Sequence, residues 1–187
     1  MVDATCLTGQ LLIAMPSMQD PNFRETVTFI CEHGEEGALG LVINRPMDIE
    51  LGTVFEQLAL PTADPALAIQ PIMQGGPVQT ERGFVIHESG EEWESSANVF
   101  DKIRVTTSQD ILTSMAAGNG PSRAIVVLGY AGWGAGQLEF EIAENAWLSA
   151  PATSELLFDT PFDKRWKKAA ELLGVDLAML SVEAGHA

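Results

Sequence analysis

Arg123–Ala150 reads RAIVVLGYAGWGAGQLEFEIAENAWLSA, and how this stretch folds decides the architecture. It opens with Ala124-Ile125-Val126-Val127-Leu128, an apolar, β-branched run of the kind that fills a central strand. Four glycines follow within eight residues, Gly129, Gly132, Gly134 and Gly136, so the strand is predicted to break there into a glycine corner. Gln137–Ile142 alternates in polarity as a strand would, while Ala135, Leu138, Ile142 and Ala146 also make a helical stripe. A strand feeding a glycine turn that opens a helix aims backbone N–H groups at one point, which suits an anion. No nucleophile, metal cluster or complete phosphate motif accompanies it.

Outward from this stretch, 187 residues at 46% hydrophobic and 19% charged content suit one globular domain over residues 1–187, with 181–187 a frayed tail. The net charge of −16 comes from 26 acidic against 10 basic side chains, and Arg24, Arg45 and Arg82 are the only cations in the first hundred residues. Such a field repels phosphate backbones and anionic lipid, so direct nucleic-acid or membrane binding is not expected. The N-terminus has no basic segment, Leu11–Met15 is too short for a signal sequence, and no window has the length of a transmembrane helix. Cys6 and Cys31 are too few for a disulfide scaffold, which together with the missing signal implies a cytoplasmic, reduced protein.

Along the chain, Gly9–Ala14 reads as a buried strand, and Met15–Phe23, with Pro16 and Pro21, as a turn-rich connection. Glu25–His33 alternates, with Val27, Phe29 and Cys31 on one face and His33 predicted to share it. Gly34–Gly37 turns the chain, and Ala38–Ile43 pairs back as a hairpin ended by Asn44-Arg45-Pro46. Leu51, Val54, Phe55 and Leu58 mark a short amphipathic helix, and residues 61–71, with three prolines, a stiff irregular connection. Ile72–Gln74 leads into Gly75-Gly76-Pro77, and Gly83–His87 and Ile103–Thr106 are further strands. Glu88–Ser96 between them is read as exposed. Thr107–Asp110 resembles a capping box before a helix carrying Ile111, Leu112 and Met115, stopped at Gly118–Pro121. After the anchor stretch a linker holds Leu156-Leu157-Phe158. A last helix then buries Phe162, Trp166, Ala169, Ala170 and Leu173 and ends at Gly174, with Lys164, Lys167 and Lys168 outside. Trp166 alone would contribute about 2–3 kcal/mol by burial. Clustered strands with irregularly interspersed helices favour α+β over a regular parallel array.

Five blocks in order, LTGQLLIAMPSMQDPNFRETVTFICEH, EGALGLVINRP, GGPVQTERGFVIHE, LGYAGWGAGQLEFEIAENAWL and LLFDTPFDKRWKKAAELLGVD, resemble the YqgE/AlgH family of bacterial proteins from about Leu7 to Asp176. The resemblance implies an α+β fold with a mixed β-sheet curled into a barrel-like core and peripheral helices. It also implies a cytosolic protein of a Gram-negative bacterium and a transcriptional-regulator label, but no reaction. No helix-turn-helix stands behind that label. With the glutamates near its start, the resemblance also selects helix for Gln137–Ile142.

Gly132–Gln137 lacks the Lys-Ser/Thr of a P-loop and the spacing of a dinucleotide fingerprint, so its glycines are read first as a device of shape. Cys31 beside His33 could form an activated thiol, but a cysteine in mid-strand is more simply core. His33, His87 and His186 lack metal-ligand spacing, and no G-x-S-x-G elbow occurs, so neither cofactor nor metal nor catalytic residue is assigned, and the reading leans away from an enzyme. The acidic pairs Glu139/Glu141 and Glu91/Glu92 read as solvated faces. A ligand site, if present, would combine Asn44, Arg45, Gly75, Gly76, Arg82, Gly132, Trp133 and Gln137, whose guanidinium, amide and backbone donors suit a carboxylate or phosphate. The leading reading is a regulatory or interaction protein acting on gene expression indirectly, through a protein partner or a small anionic ligand. The alternative is an enzyme or sensor taking a small anionic metabolite or nucleotide at Gly129–Gly136.

Overall fold

The glycine run is not a corner but the second half of a strand. In the computed structural model, which describes residues 6–88, 90 and 92–180, β9 extends unbroken from Ala124 to Gly134. The strands before it are β1 (Gln10–Ala14), β2 (Val27–Gly34), β3 (Gly37–Val42), β4 (Pro46–Glu50), β5 (Pro71–Gln74), β6 (Val78–Glu88), β7 (Ser96–Phe100) and β8 (Ile103–Thr106), and β10 (Trp147–Pro151) follows. The helices are α1 (Leu51–Gln57), α2 (Pro65–Ala68), α3 (Asp110–Ala116), α4 (Gln137–Ala143) and α5 (Arg165–Glu171). The order across the sheet is β10-β1-β2-β3-β9-β6-β8-β7, with β4 and β5 off this path. Neighbours are antiparallel except β5, which runs parallel to β9.

β9 is the seam. Val127 and Leu128 pair with β5 on one edge and β6 on the other, and Ala131–Gly134 then pair with β3. The change of partner falls at Gly129, whose φ of +80° is open to glycine at little cost. It also resets the alternation of side chains. Ile125, Val127 and the half-buried Tyr130 face the interior, whereas Ala131 and Trp133 face outward beneath α4. The sheet thus curls around an interior built from Leu11, Ile13, Val27, Phe29, Leu41, Phe84, Ile86 and Val127. That interior is plugged by Leu156, Leu157, Ala169 and Ala170 of the C-terminal segment. Two smaller clusters cover the outside: α1 and α3 seat Leu51, Phe55, Ile111 and Met115 against Val85 and Val126, and α4 seats Leu138 near Trp133 and Trp147. Full burial of Phe55 contributes about 2–3 kcal/mol.

The α+β class and the curled sheet agree with expectation; several local features do not. β4, β7 and β10 are strands in stretches of weak alternation, and each exists because an edge was waiting to be paired. Residues 65–68 form a turn of helix capped by Asp64, whose Oδ1 accepts the N–H groups of Ala66 and Leu67. Trp93, in the segment expected to be exposed, is 9% accessible and edge-on to His87 at 5.2 Å. α3 has no capping box: Asp110 accepts from Ser108 Oγ and from the N–H of Glu94. Leu156 and Leu157 lie in a buried turn rather than a linker, and Leu173 is 40% exposed because α5 ends at Glu171. Gly174 does carry the expected positive φ, and the lysines do lie outside. The predicted frayed tail 181–187, His186 and Glu91 lie outside the described residues.

Candidate functional site

α4 has seven residues, too few to persist without tertiary support. Support comes from one carboxylate. Glu141 Oε1 accepts the indole N–H of Trp133 and of Trp147, each at 3.0 Å, and Oε2 accepts Gln137 Nε2 at 2.9 Å. Gln137 Oε1 in turn accepts the N–H of Gly134 at 2.9 Å, which bolts the helix start to the end of β9. Phe23 packs edge-on to Trp147 at 5.7 Å and closes the cluster. The turn itself is Ala135-Gly136, with Gly136 at φ +74°. Glu141 escaped sequence reasoning as a mere surface acid. The available signal was two tryptophans, each with one N–H to satisfy, near an acid four residues after a glutamine.

Most of the residues expected to hold a ligand already have partners within the fold, several of them backbone groups. Gly132, Trp133 and Gln137 belong to the α4 fastening. Gly75 joins β3 to β9, its N–H donating to Leu128 O at 2.8 Å and its carbonyl accepting from Val42 N at 2.9 Å. Gly76, at φ +155°, presses against the backbone of Tyr130. Asn44 accepts the N–H of Val27 and donates to Glu25 O, both at 2.9 Å, and so continues the β2–β3 ladder with its side chain. Arg45 donates to the carbonyls of Pro21 and Arg24 at 2.6 and 2.9 Å, and burial, then Arg24, lowers its pKa. Arg82 stacks over Phe84 and Tyr130 at 5.0 and 5.8 Å from the ring centroids.

The thiol–imidazole pair does not form. A bulge between Ile30 and Glu32 inserts Cys31, and His33 then pairs with Ala38. Cross-strand partners share a face, so His33 lies on the Ala38 side while Cys31 packs into the interior, the reverse of the strict alternation expected. Burial, then Glu32, pushes the Cys31 thiol far above its ordinary range. His33 Nδ1 accepts Leu7 N–H at 2.9 Å, and its Nε2 lies 3.3 Å from Glu139. No cluster of three metal-ligating side chains occurs among the described residues.

His87 is fully buried at the head of a hydrogen-bonded relay, and burial favours its neutral form. Its Nδ1 meets the Glu88 carbonyl at 2.8 Å and therefore carries the proton. Nε2 then accepts from Thr106 Oγ1 at 2.7 Å, Thr106 from Ser96, and Ser96 from Trp93 N–H. Burial lowers its pKa. Arg165, 7% exposed, is a buried charged group that sequence reasoning missed, although its i+4 spacing to Ala169 puts it on the buried stripe of α5.

An AlgH-like family model matches residues 11–178. The chain belongs to the AlgH-like family. A UPF0301 protein of Thioalkalivibrio sulfidiphilus is 54% identical over 187 residues, covering 100% of both chains. Another, from Xanthomonas campestris pv. campestris, is 52% identical over 183 residues, 98% of this chain and 97% of its own. The solution structure of the AlgH protein from Pseudomonas aeruginosa superposes with a TM-score of 0.78 at 49% identity, covering 100% of this chain and 99% of that one. A crystal structure of a Corynebacterium diphtheriae protein, 20% identical, has a TM-score of 0.76 over 97% of this chain and 94% of its own, a likeness of fold alone. No helix among the described residues is long and apolar enough to cross a membrane.

Proposed function

We propose that this AlgH-like protein works by binding rather than turnover, as a cytoplasmic interaction protein whose acidic α4 face docks a basic protein partner and affects gene expression only indirectly. Phe140 carries the proposal. It stands 65% exposed in the middle of α4, although the rest of the cluster beneath that helix is well packed. The helix and its neighbour are acidic: Glu139 and Glu144 lie on or beside α4, and Glu139 reaches His33 on β2, whose hairpin with β3 also carries Glu32, Glu35 and Glu36. An exposed aromatic on an acidic helix has features of an interface hot spot with electrostatic steering. The net charge of −16 favours a basic protein surface over a phosphate backbone.

Replacing Phe140 by a photo-crosslinking phenylalanine analogue in the native bacterium tests this. The expected result is a discrete adduct with a protein of basic surface, lost on added Glu139→Lys and Glu144→Lys changes. No adduct, or one indifferent to charge reversal, contradicts the reading.

A further inference from the structure

Between α1, β5, the start of β9 and the 158–165 segment lies a cleft of about 300 Å³, at the lower end of the range for small-molecule sites. Leu51, Met73, Ile125, Phe158 and Phe162 give it apolar walls, and Arg165 lines it too. Arg165 Nε donates to Thr160 O at 3.1 Å, and one terminal nitrogen donates to Ile43 O. Both acceptors are neutral carbonyls, and they engage two of the five N–H donors a guanidinium carries. Among the described residues no carboxylate lies within ion-pair reach of Arg165. Asp159 shares the cleft wall, but its Oδ2 is held by Arg123 at 3.0 Å, and Arg123 also reaches Glu88 at 3.0 Å. Burial lowers the Arg165 pKa to about 10, so the group is still charged at neutral pH. A buried cation without a counter-ion is costly, and a bound anion would relieve that cost.

We propose that this cleft binds a small carboxylate with a short apolar body. Arg165 pairs the carboxylate in a charge-assisted contact, and the hydrocarbon lies against Leu51, Met73, Ile125, Phe158 and Phe162. A phosphate fits less well, because its further oxygens would face those apolar walls and the Asp159 carboxylate. The site is separate from the α4 face and does not depend on it. It would bring ligand occupancy to the same guanidinium that ties α5 to the end of β3 through Ile43.

Titration of the isotopically labelled full chain with butyrate, followed by two-dimensional NMR, tests the proposal, with butyramide and inorganic phosphate as matched probes at constant ionic strength. The expected result is saturable shifts at Ile125, Phe158, Phe162 and the Arg165 Nε–H with butyrate, and binding of butyramide and phosphate at least about tenfold weaker. Arg165→Gln should abolish the butyrate shifts. Gln70→Glu, at an exposed lining residue, should weaken butyrate at least about tenfold by repulsion with the Arg165 brace left intact, and it decides the matter if Arg165→Gln fails to fold. Absence of saturable shifts, equal response to butyrate and butyramide, preferential binding of phosphate, or indifference to Gln70→Glu would each overturn it.

Discussion

Two glycine-to-alanine substitutions separate a structural role for the glycines from a ligand-cradling one. A Cβ built on Gly76 would lie 2.1 Å from the carbonyl carbon of Tyr130, 2.2 Å from its oxygen and 2.4 Å from Ala131 N. All three are backbone atoms of the central strand, so no side chain can swing away. The strands must part, which breaks the Gly75 bonds to Leu128 and Val42 at about 1 kcal/mol net each. A non-glycine residue at φ +155° adds roughly 1–3 kcal/mol of backbone strain. Together Gly76→Ala should cost roughly 3–5 kcal/mol, a large part of an ordinary domain's stability. At this chain length that corresponds to a drop in Tm of about 6–20 °C. Gly132→Ala is the contrast. Its nearest neighbour would be Tyr130 Cε2 at 3.7 Å, an ordinary contact, and its φ is not positive. The change should fall within about 1 kcal/mol of neutral, and relief of glycine's backbone entropy could make it stabilising. Urea unfolding followed by tryptophan fluorescence measures both. Equal damage from the two, or a silent Gly76→Ala, would refute the reasoning, because a backbone nest for anions would need Gly132 as much as Gly76.

Other outcomes follow from the same geometry. Glu141→Leu should cost roughly 2–5 kcal/mol by leaving the Trp133 and Trp147 indoles without an acceptor, with a red shift in tryptophan emission, and Glu141→Gln should cost less. His87 has a folded pKa below its unfolded value near 6.5, so the unfolded chain binds the proton first. The stability it contributes is fully present above that unfolded value and is lost as pH falls towards the folded one. Urea midpoints at stepped pH should decline below about 6.5, and less steeply in His87→Leu. A thiol reagent should modify the exposed Cys6 in the native protein and Cys31 only after denaturation. Phe140→Ala should leave stability within about 0.5 kcal/mol, since the ring it removes is mostly in water.

What could be read from the residues was whatever periodicity and local turn chemistry control. The β1 strand, the β2–β3 hairpin and α1 are of this kind, whereas the family came through its five ordered blocks and the helical state of α4 came with it. What escaped is non-local. Glycine spacing cannot say whether a run is a loop or a strand whose neighbours press too closely for a Cβ, as Gly75 and Gly76 press on β9. A one-residue bulge at Cys31 is invisible to alternation, yet it sends His33 to the opposite face. Glu141 looked like a surface acid and Arg165 drew no reading, because their partners, two indoles and Ile43 O, are brought to them by tertiary packing. Asn44, Arg45 and Gln137, expected at a ligand site, each hold a backbone group within the fold.

The most direct test of the continuous β9 strand is amide hydrogen exchange, read residue by residue from Ala124 to Gly136. A strand paired first with β5 and then with β3 should show ladder-bonded amides within Ala131–Gly134 exchanging as slowly as those within Ile125–Leu128, both near the global unfolding limit. Protection that stops at Leu128, with free exchange from Gly129 to Gly136, would restore the open glycine corner and contradict the account.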